Sequence, residues 1–277
     1  MTDTDSYLRS LVMADPLQEP VIRSAIQALA LSPGSRGLDV GCGIGLQSLL
    51  LAESVGGAGQ VTGIDLSPEF MVYATGIAEK AGMSEQVSFQ EGDVKSLPFD
   101  DDTFDWAWSA NCVGYAPGEP LPMLKELARV VKPGGSVVVI AWSSQQMLPG
   151  YPLLEAHLNA TSPGIAPFSR EMRPELHFLR MAGWFREAGL EEITVRTFAG
   201  DVCAPLSNDI RSALIALLEM RWTGVQPELS EDDWAEFQRL CLPESPDFIL
   251  NLLDYYAFYT YSMFRGRVPR VNVSDGV

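Results

Sequence analysis

The sequence predicts an α/β fold on a mostly parallel sheet of seven strands, and three observations point to it. Short apolar segments alternate with amphipathic helical ones, the pattern of a parallel sheet with right-handed crossovers. A glycine-rich run, Gly41 to Gly45, leads from a strand into a helix. Ser136 to Trp142 (SVVVIAW) is apolar enough to be buried on both faces, as a parallel strand between helical layers must be.

The elements follow in order. Residues 5 to 30 read as a helix broken near Asp15-Pro16, and Ser32-Pro33-Gly34 as a turn. Arg36 to Val40 is the first strand, and Leu46 to Ser54 a helix with an apolar face. Gln60 to Asp65 is the second strand. Ser67 to Ala81 is a helix with Ser67 as N-cap, Pro68 at its first position and Gly82 at its end. Val87 to Glu91 and Phe104 to Ala110 are the third and fourth strands. Leu121 to Val131 is a helix stopped by Lys132-Pro133-Gly134-Gly135, and Ser136 to Trp142 is the fifth strand. The rhythm then breaks: residues 143 to 170, rich in Pro, Gly, Ser and Met, read as an irregular insertion. Glu171 to Ala188 is expected to be helical and Glu192 to Phe198 to be the sixth strand. Residues 206 to 253 give roughly three helices by apolar periodicity. Tyr255 to Phe264 (YYAFYTYSMF) is either a buried seventh strand or a continuation of the preceding helix. The expectation is one domain over 1–277, with 143–170 and 206–253 as cap insertions that carry substrate contacts.

Composition narrows the function. With 36 acids against 19 bases the net charge is −17, which repels phosphate backbones and anionic lipid. A nucleic-acid substrate is disfavoured, although a local basic patch stays open. The apolar stretches are too short to span a bilayer, and the acidic opening MTDTDSYLRS is no secretory signal. Cys42, Cys112, Cys203 and Cys241 are scattered without a CxxC pair, so they read as reduced thiols of a cytoplasmic protein and not as a metal site.

Leu38-Asp39-Val40-Gly41-Cys42-Gly43-Ile44-Gly45 is a turn at which backbone can approach a ligand. Alone it says only that a nucleotide-like molecule binds. A dinucleotide fingerprint asks for a third glycine where Leu46 stands. Asp65, ending the second strand, suits a pair of ribose hydroxyls in either kind of ligand. Gly92-Asp93-Val94 then ends the third strand, followed by Leu97-Pro98-Phe99 and the acidic turn from Asp100 to Asp105.

Taken together, LDVGCGIG, GIDLSPEF, GDVKSLPFDDDTFD and ELARVVKPGG, in that order, resemble the class I S-adenosyl-L-methionine-dependent methyltransferases. The branch most similar contains the ubiquinone and menaquinone biosynthesis enzymes, and the resemblance runs over roughly residues 20 to 200. It implies the strand order 3-2-1-4-5-7-6 with the last strand antiparallel. It also implies that Asp39 and the amides of Gly41, Cys42 and Gly43 hold the amino-acid end of the cofactor. Asp65 would take the ribose hydroxyls, and Leu66 and Phe70 would pack on adenine. Asp93 and the Val94 amide would read the adenine edge, and Asn111 would lie beside the methionine amine. The expected partner is a small-molecule acceptor, apolar or aromatic because Tyr151, Phe168, Trp184, Trp222 and Trp234 fall in or near the cap, although these rings equally suit packing.

No catalytic residue stands out. His157 and His177 are each either a general base or an ordinary surface histidine. Tyr115 either touches substrate or packs under its loop, and Trp142 either walls the pocket or joins the core. Two alternatives remain: a cofactor-binding protein without methyl transfer, and an arsenite-type metalloid methyltransferase using Cys112, which lacks a partner cysteine in 143–170.

Overall fold

The computed structural model describes residues 3–115 and 118–270, with side chains from Leu8 onward. The two ends of the expected 1–277 domain therefore lie outside the described residues. Helix α1 (Asp3–Leu29) precedes strand β1 (Arg36–Val40). Next come α2 (Leu46–Val55), β2 (Gln60–Asp65), α3 (Pro68–Lys80), β3 (Val87–Glu91), β4 (Phe104–Ala110), α4 (Pro120–Val130) and β5 (Val131–Gln146). Helices α5 (Pro152–Asn159), α6 (Ser162–Ile165) and α7 (Met181–Glu187) lead to β6 (Glu191–Cys203). Helices α8 (Asn208–Trp222) and α9 (Glu231–Cys241) lead to β7 (Tyr256–Arg267).

The seven strands form one sheet in the order β3-β2-β1-β4-β5-β7-β6. β1 pairs in parallel with β2 and β4, β2 with β3, and β4 with β5. β7 runs the other way. Along β5 from Ser136 to Ser143, its bonded partners on β7 fall back from Arg265 to Thr260. Near the ends of these strands, Gly134 N donates to Val268 O and Val268 N to Gly135 O.

Helix ends follow local chemistry. The hydroxyls of Ser67, Ser207 and Ser230 each accept the amide three residues on, at Phe70, Ile210 and Asp233. In α1, Pro16 and Pro20 lie inside a continuous helix, so the expected break at Asp15-Pro16 is absent. Each proline removes a hydrogen bond at about 3 kcal/mol. The buried stripe Ala14, Leu17, Val21, Ile22, Ala25, Ile26 and Leu29 runs through both and outweighs that loss.

The chain divides into two compact units. One gathers residues 23–141, 173–197 and 262 onward, around buried Leu38, Trp108 and Val137 to Ala141. The other gathers residues up to 22, 142–172 and 198–261, around buried Leu158, Leu214, Trp222, Phe248 and Tyr255. Both expected cap segments fall in this second unit.

Four other readings are corrected. Segment 143–170 is not irregular, because it contains α5 and α6. Glu155, fully buried, accepts the amides of Met147 and Leu148, and Leu154 and Leu158 bury the same face one turn apart. The span 171–188 is helical only from Met181; before it, Arg173 and His177 adopt extended angles around two 3-10 turns. Pro174 explains the first departure, since it disfavours helical angles at the residue before it. The 206–253 region holds two α-helices, and the third reduces to a 3-10 turn at Ile249–Asn251. Finally, Lys132 to Gly135 does not separate α4 from the fifth strand, because β5 already starts at Val131, with a register shift against β4 between Phe104 and Trp106. The open choice for Tyr255–Phe264 resolves as strand, with alternate residues Ala257, Tyr259 and Tyr261 buried.

Candidate functional site

β3, β2 and β1 are neighbours in the sheet, and a carboxylate stands near the carboxyl end of each: Asp93, Asp65 and Asp39. Gly92 N donates to Asp65 O at 2.9 Å, which ties the ends of β2 and β3 together. Beside them runs the loop from Gly41 to Gly45. Gly41 has φ +69 and Gly43 φ +53, left-handed angles that favour glycine. A Cβ on Gly41 would sit 2.5 Å from Cys112 Sγ, whereas one on Gly43 would meet nothing within 4 Å. The backbone at Gly43 is therefore open to a ligand.

The loop amides are already engaged. Gly41 N and Cys42 N both donate to Ile64 O, at 2.8 and 3.1 Å, and Gly43 N donates to Asp65 Oδ2 at 2.9 Å. In this structure the three amides brace the loop against β2. What the loop offers is its shape and the acids around it.

Asp39 is 1% exposed and accepts the Ser48 hydroxyl at 2.6 Å. Burial pushes its carboxyl up to about 7; the Ser48 bond opposes this and the neighbouring charge of Asp65 adds to it. A buried acid beside a second acid favours a cationic ligand. Asp65 accepts Gly43 N through Oδ2 and Ser67 N through Oδ1, leaving one lone pair on each oxygen for a further donor. Leu66 is 65% exposed and Phe70 half-buried, so an apolar surface stays open at the start of α3. Asp93 Oδ1 accepts Lys95 N at 2.9 Å, and Val94 beside it is half-buried. Asn111 follows β4 with φ +50, its amide donating to Ile140 O at 2.9 Å.

Cys42 lies in this loop and Cys112 stands against Gly41. Burial, then the charge of Asp65, pushes the Cys112 thiol up to about 11, and burial raises Cys42 as well. A thiol held protonated is a poor ligand for a soft metalloid. Among the residues 143–170 no cysteine is present to complete an arsenite-type thiol set with Cys112.

Arg129 and Glu126, inside the ELARVVKPGG motif, were not singled out from the sequence, although their i, i+3 spacing on a helix is a signal for a pair. Arg129 donates to the carbonyls of Leu97 and Phe99, to Asp101 and to Glu126. Glu126 in turn accepts Leu97 N at 3.0 Å. The pair clamps the segment that follows Asp93. Replacing Arg129 with methionine is expected to lower the melting temperature by about 5 °C and weaken ligand binding at Asp93 by about tenfold. Thermal melts and calorimetry check both.

Each of the three catalytic candidates has a local partner of its own. His157 Nδ1 lies 2.9 Å from Asp233 Oδ2, joining α5 to α9. His177 is exposed, and its Nδ1 accepts Leu179 N as the cap of a 3-10 turn. Tyr115 packs edge-on against Phe178 at 6.2 Å. Trp142 is half-buried, stacked on Tyr259 at 5.0 Å, with its indole N–H donated to Gln145. Of the expected cap aromatics, Trp222 is core, bonded to Asn159, and Trp184 belongs to α7, outside the unit that holds both cap segments.

Residues 38–135 match the sequence profile of a family described as methyltransferase domain. Demethylmenaquinone methyltransferase of Lysinibacillus sphaericus (strain C3-41) is 33% identical over 188 residues, covering 64% of this chain and 78% of that protein. Among solved structures, a chain of the complex between the Haloferax volcanii Trm112 methyltransferase activator and a methyltransferase superposes with TM-score 0.60 at 20% identity, over 98% of this chain and 99% of that one. A SAM-dependent methyltransferase from Aquifex aeolicus gives TM-score 0.51 at 20% identity, over 95% and 99%. At such identities the two structures speak for the fold alone.

Proposed function

The chain belongs to the class I S-adenosylmethionine-dependent methyltransferases, the branch resembling the quinone-biosynthesis enzymes, and on that footing we propose that it methylates a small apolar or aromatic acceptor of the quinol kind. The observation that carries the cofactor side is the row Asp39, Asp65 and Asp93 on three adjacent strand ends beside the open face of Gly43. The acceptor side is supported by the similarity to demethylmenaquinone methyltransferases and by the aromatic second unit, with half-buried Trp142 stacked on Tyr259.

When bound, S-adenosylmethionine supplies a methyl group on a positively charged sulfur that departs as a neutral thioether, so no acid is required. The chain's task is alignment. Asp65 accepts the ribose hydroxyls with its remaining lone pairs, and Leu66 and Phe70 cover adenine. Asp93 and Val94 fix the adenine edge. Asp39 and Asn111 hold the amino-acid end, and the negative potential of Asp39 and Asp65 favours the cation over its neutral product. Segments 143–170 and 206–253 supply the acceptor-binding surface.

A general base enters only if the acceptor must shed a proton. His157 has its Nδ1 committed to Asp233, which accounts for it as a tie between α5 and α9. His157→Gln is therefore expected to leave turnover at saturating acceptor unchanged. A loss of about a hundredfold would instead make it the base.

The acceptor is tested with methyl-labelled cofactor and grouped quinols, phenols, amines and thiols. The expected result is label transfer to quinols or apolar phenols. Transfer confined to polar amines or thiols would overturn the acceptor reading and leave the cofactor site standing.

A further inference from the structure

A cavity of about 510 Å³ lies at the opposite end of the strands from the acids. It is lined by the turn 29–35 before β1, by Asp105 and Trp106 at the start of β4, by Lys132 to Ser136 at the start of β5, and by Arg265 and Arg267 near the end of β7. Every lining residue belongs to the unit that gathers residues 23–141, 173–197 and 262 onward. Along β1 this end is roughly 15 Å from the glycine loop.

Its charge is opposite to that of the chain. Its lining holds Lys132, Arg265 and Arg267 against one acid, Asp105, in a protein of net charge −17. Asp105 is already committed, to Lys132 Nζ at 2.8 Å and to Arg36 N at 2.7 Å. Arg267 has Glu192 at 2.9 Å and also donates to Gly134 O. Arg265 differs. Among the described residues its hydrogen bonds go to neutral oxygens, the Ser136 hydroxyl at 3.1 Å and the Leu29 carbonyl at 3.5 Å. It is half-buried, and burial first, then the charge of Arg267, holds its guanidinium below the usual arginine range, with the charge of Glu192 opposing the shift. Glu192 acts on it only as a charge bonded to the neighbouring Arg267, so a partly buried guanidinium with no carboxylate of its own gains from an anionic ligand. The volume exceeds what a bare ion fills and falls in the range of small-molecule sites.

We propose that this cavity is an oxyanion site that takes a small molecule bearing a phosphate group, with Arg265 as its principal anchor and Lys132 and Arg267 flanking it. A guanidinium fork matches phosphate oxygens in pairs, and Lys132 and Arg267, each already holding one carboxylate, offer further N–H donors that a phosphate's three oxygens use better than a carboxylate's two.

Inorganic phosphate, phenyl phosphate and benzoate serve as probes, titrated by calorimetry into the full chain at constant ionic strength. The expected result is saturable binding of both phosphates, tighter for phenyl phosphate, weak for benzoate, and unchanged when demethylated cofactor saturates the other end. Arg265→Met should weaken phenyl phosphate by at least about tenfold while affinity for demethylated cofactor holds. Should that variant fail to fold, Lys132→Met at the exposed rim should still weaken it by about threefold. No saturable phosphate binding to the unmodified chain, benzoate as tight as phenyl phosphate, or competition with demethylated cofactor would each overturn the proposal. So would undiminished affinity in Arg265→Met.

Discussion

Replacing Asp65 with alanine is expected to weaken S-adenosylmethionine by about a hundredfold to ten-thousandfold, the largest loss for any single change in the site. Two ribose hydroxyls donate to this carboxylate in the proposed arrangement, each bond contributing roughly 1.5–3 kcal/mol because the acceptor is charged. The structure adds a second cost. Asp65 also accepts Gly43 N and Ser67 N, so its loss unpins the glycine loop and the entry to α3 together. Asp93 carries less: it accepts one adenine hydrogen, and Lys95 N is its own local partner. Asp93→Ala should therefore lose only about tenfold. Calorimetry on both variants checks the ranking, and equal losses would show that the two roles are misassigned.

Replacing Asp39 with asparagine is expected to stabilise the ligand-free protein while weakening the cofactor. The sign follows from proton linkage. The carboxyl titrates at about 7 in the folded chain, against 3.8 as its ordinary value, so the folded state binds the extra proton between those values. Its contribution to stability is complete below pH 4 and is lost as pH rises through 7. The full loss is at most about 4 kcal/mol by pH 8, and asparagine, which carries no charge, avoids it. Asp39→Asn should then melt several degrees above the unmodified chain at pH 8, with the gap closing toward pH 4. Its affinity for S-adenosylmethionine should fall by about ten- to a hundredfold, the loss of one charge-assisted bond. Between pH 5.5 and 7 cofactor affinity of the unmodified chain should rise with pH, and in the variant that rise should disappear. A variant less stable than the unmodified chain at pH 8 would mean that Asp39 is ionised without a penalty.

The first four strands were readable to the residue, because each is a short segment set between turn and helix signals in an alternating α/β pattern. Asp39 was singled out by the resemblance of LDVGCGIG to the family's motif, and Asp65 by its place at the end of the second strand as well. Legibility fell after Trp142. Pro149-Gly150 and Pro163-Gly164 look like loop punctuation, yet Pro152 and Pro163 sit in the first turns of α5 and α6, where a missing N–H costs nothing. Pro16 and Pro20 mislead in the same direction, because tertiary burial decides and the local sequence does not display it. The direction of the loop amides was also beyond reach. Whether Gly43 N points at a ligand or at Asp65 depends on the spacing of β1 and β2, which no run of residue types encodes. Arg129 was within reach, but its partners Leu97, Phe99 and Asp101 are joined to it only by the fold.

Calorimetric titration of the purified chain with S-adenosylmethionine, its demethylated product and NAD at pH 7.5 tests the central claim most directly, that the acids of β1 to β3 and the glycine loop hold this cofactor. Saturable binding of S-adenosylmethionine and its product, with no measurable heat from NAD and with Asp65→Ala silent toward all three, is the predicted result. Binding of NAD without S-adenosylmethionine, or binding of S-adenosylmethionine that Asp65→Ala leaves intact, would contradict it.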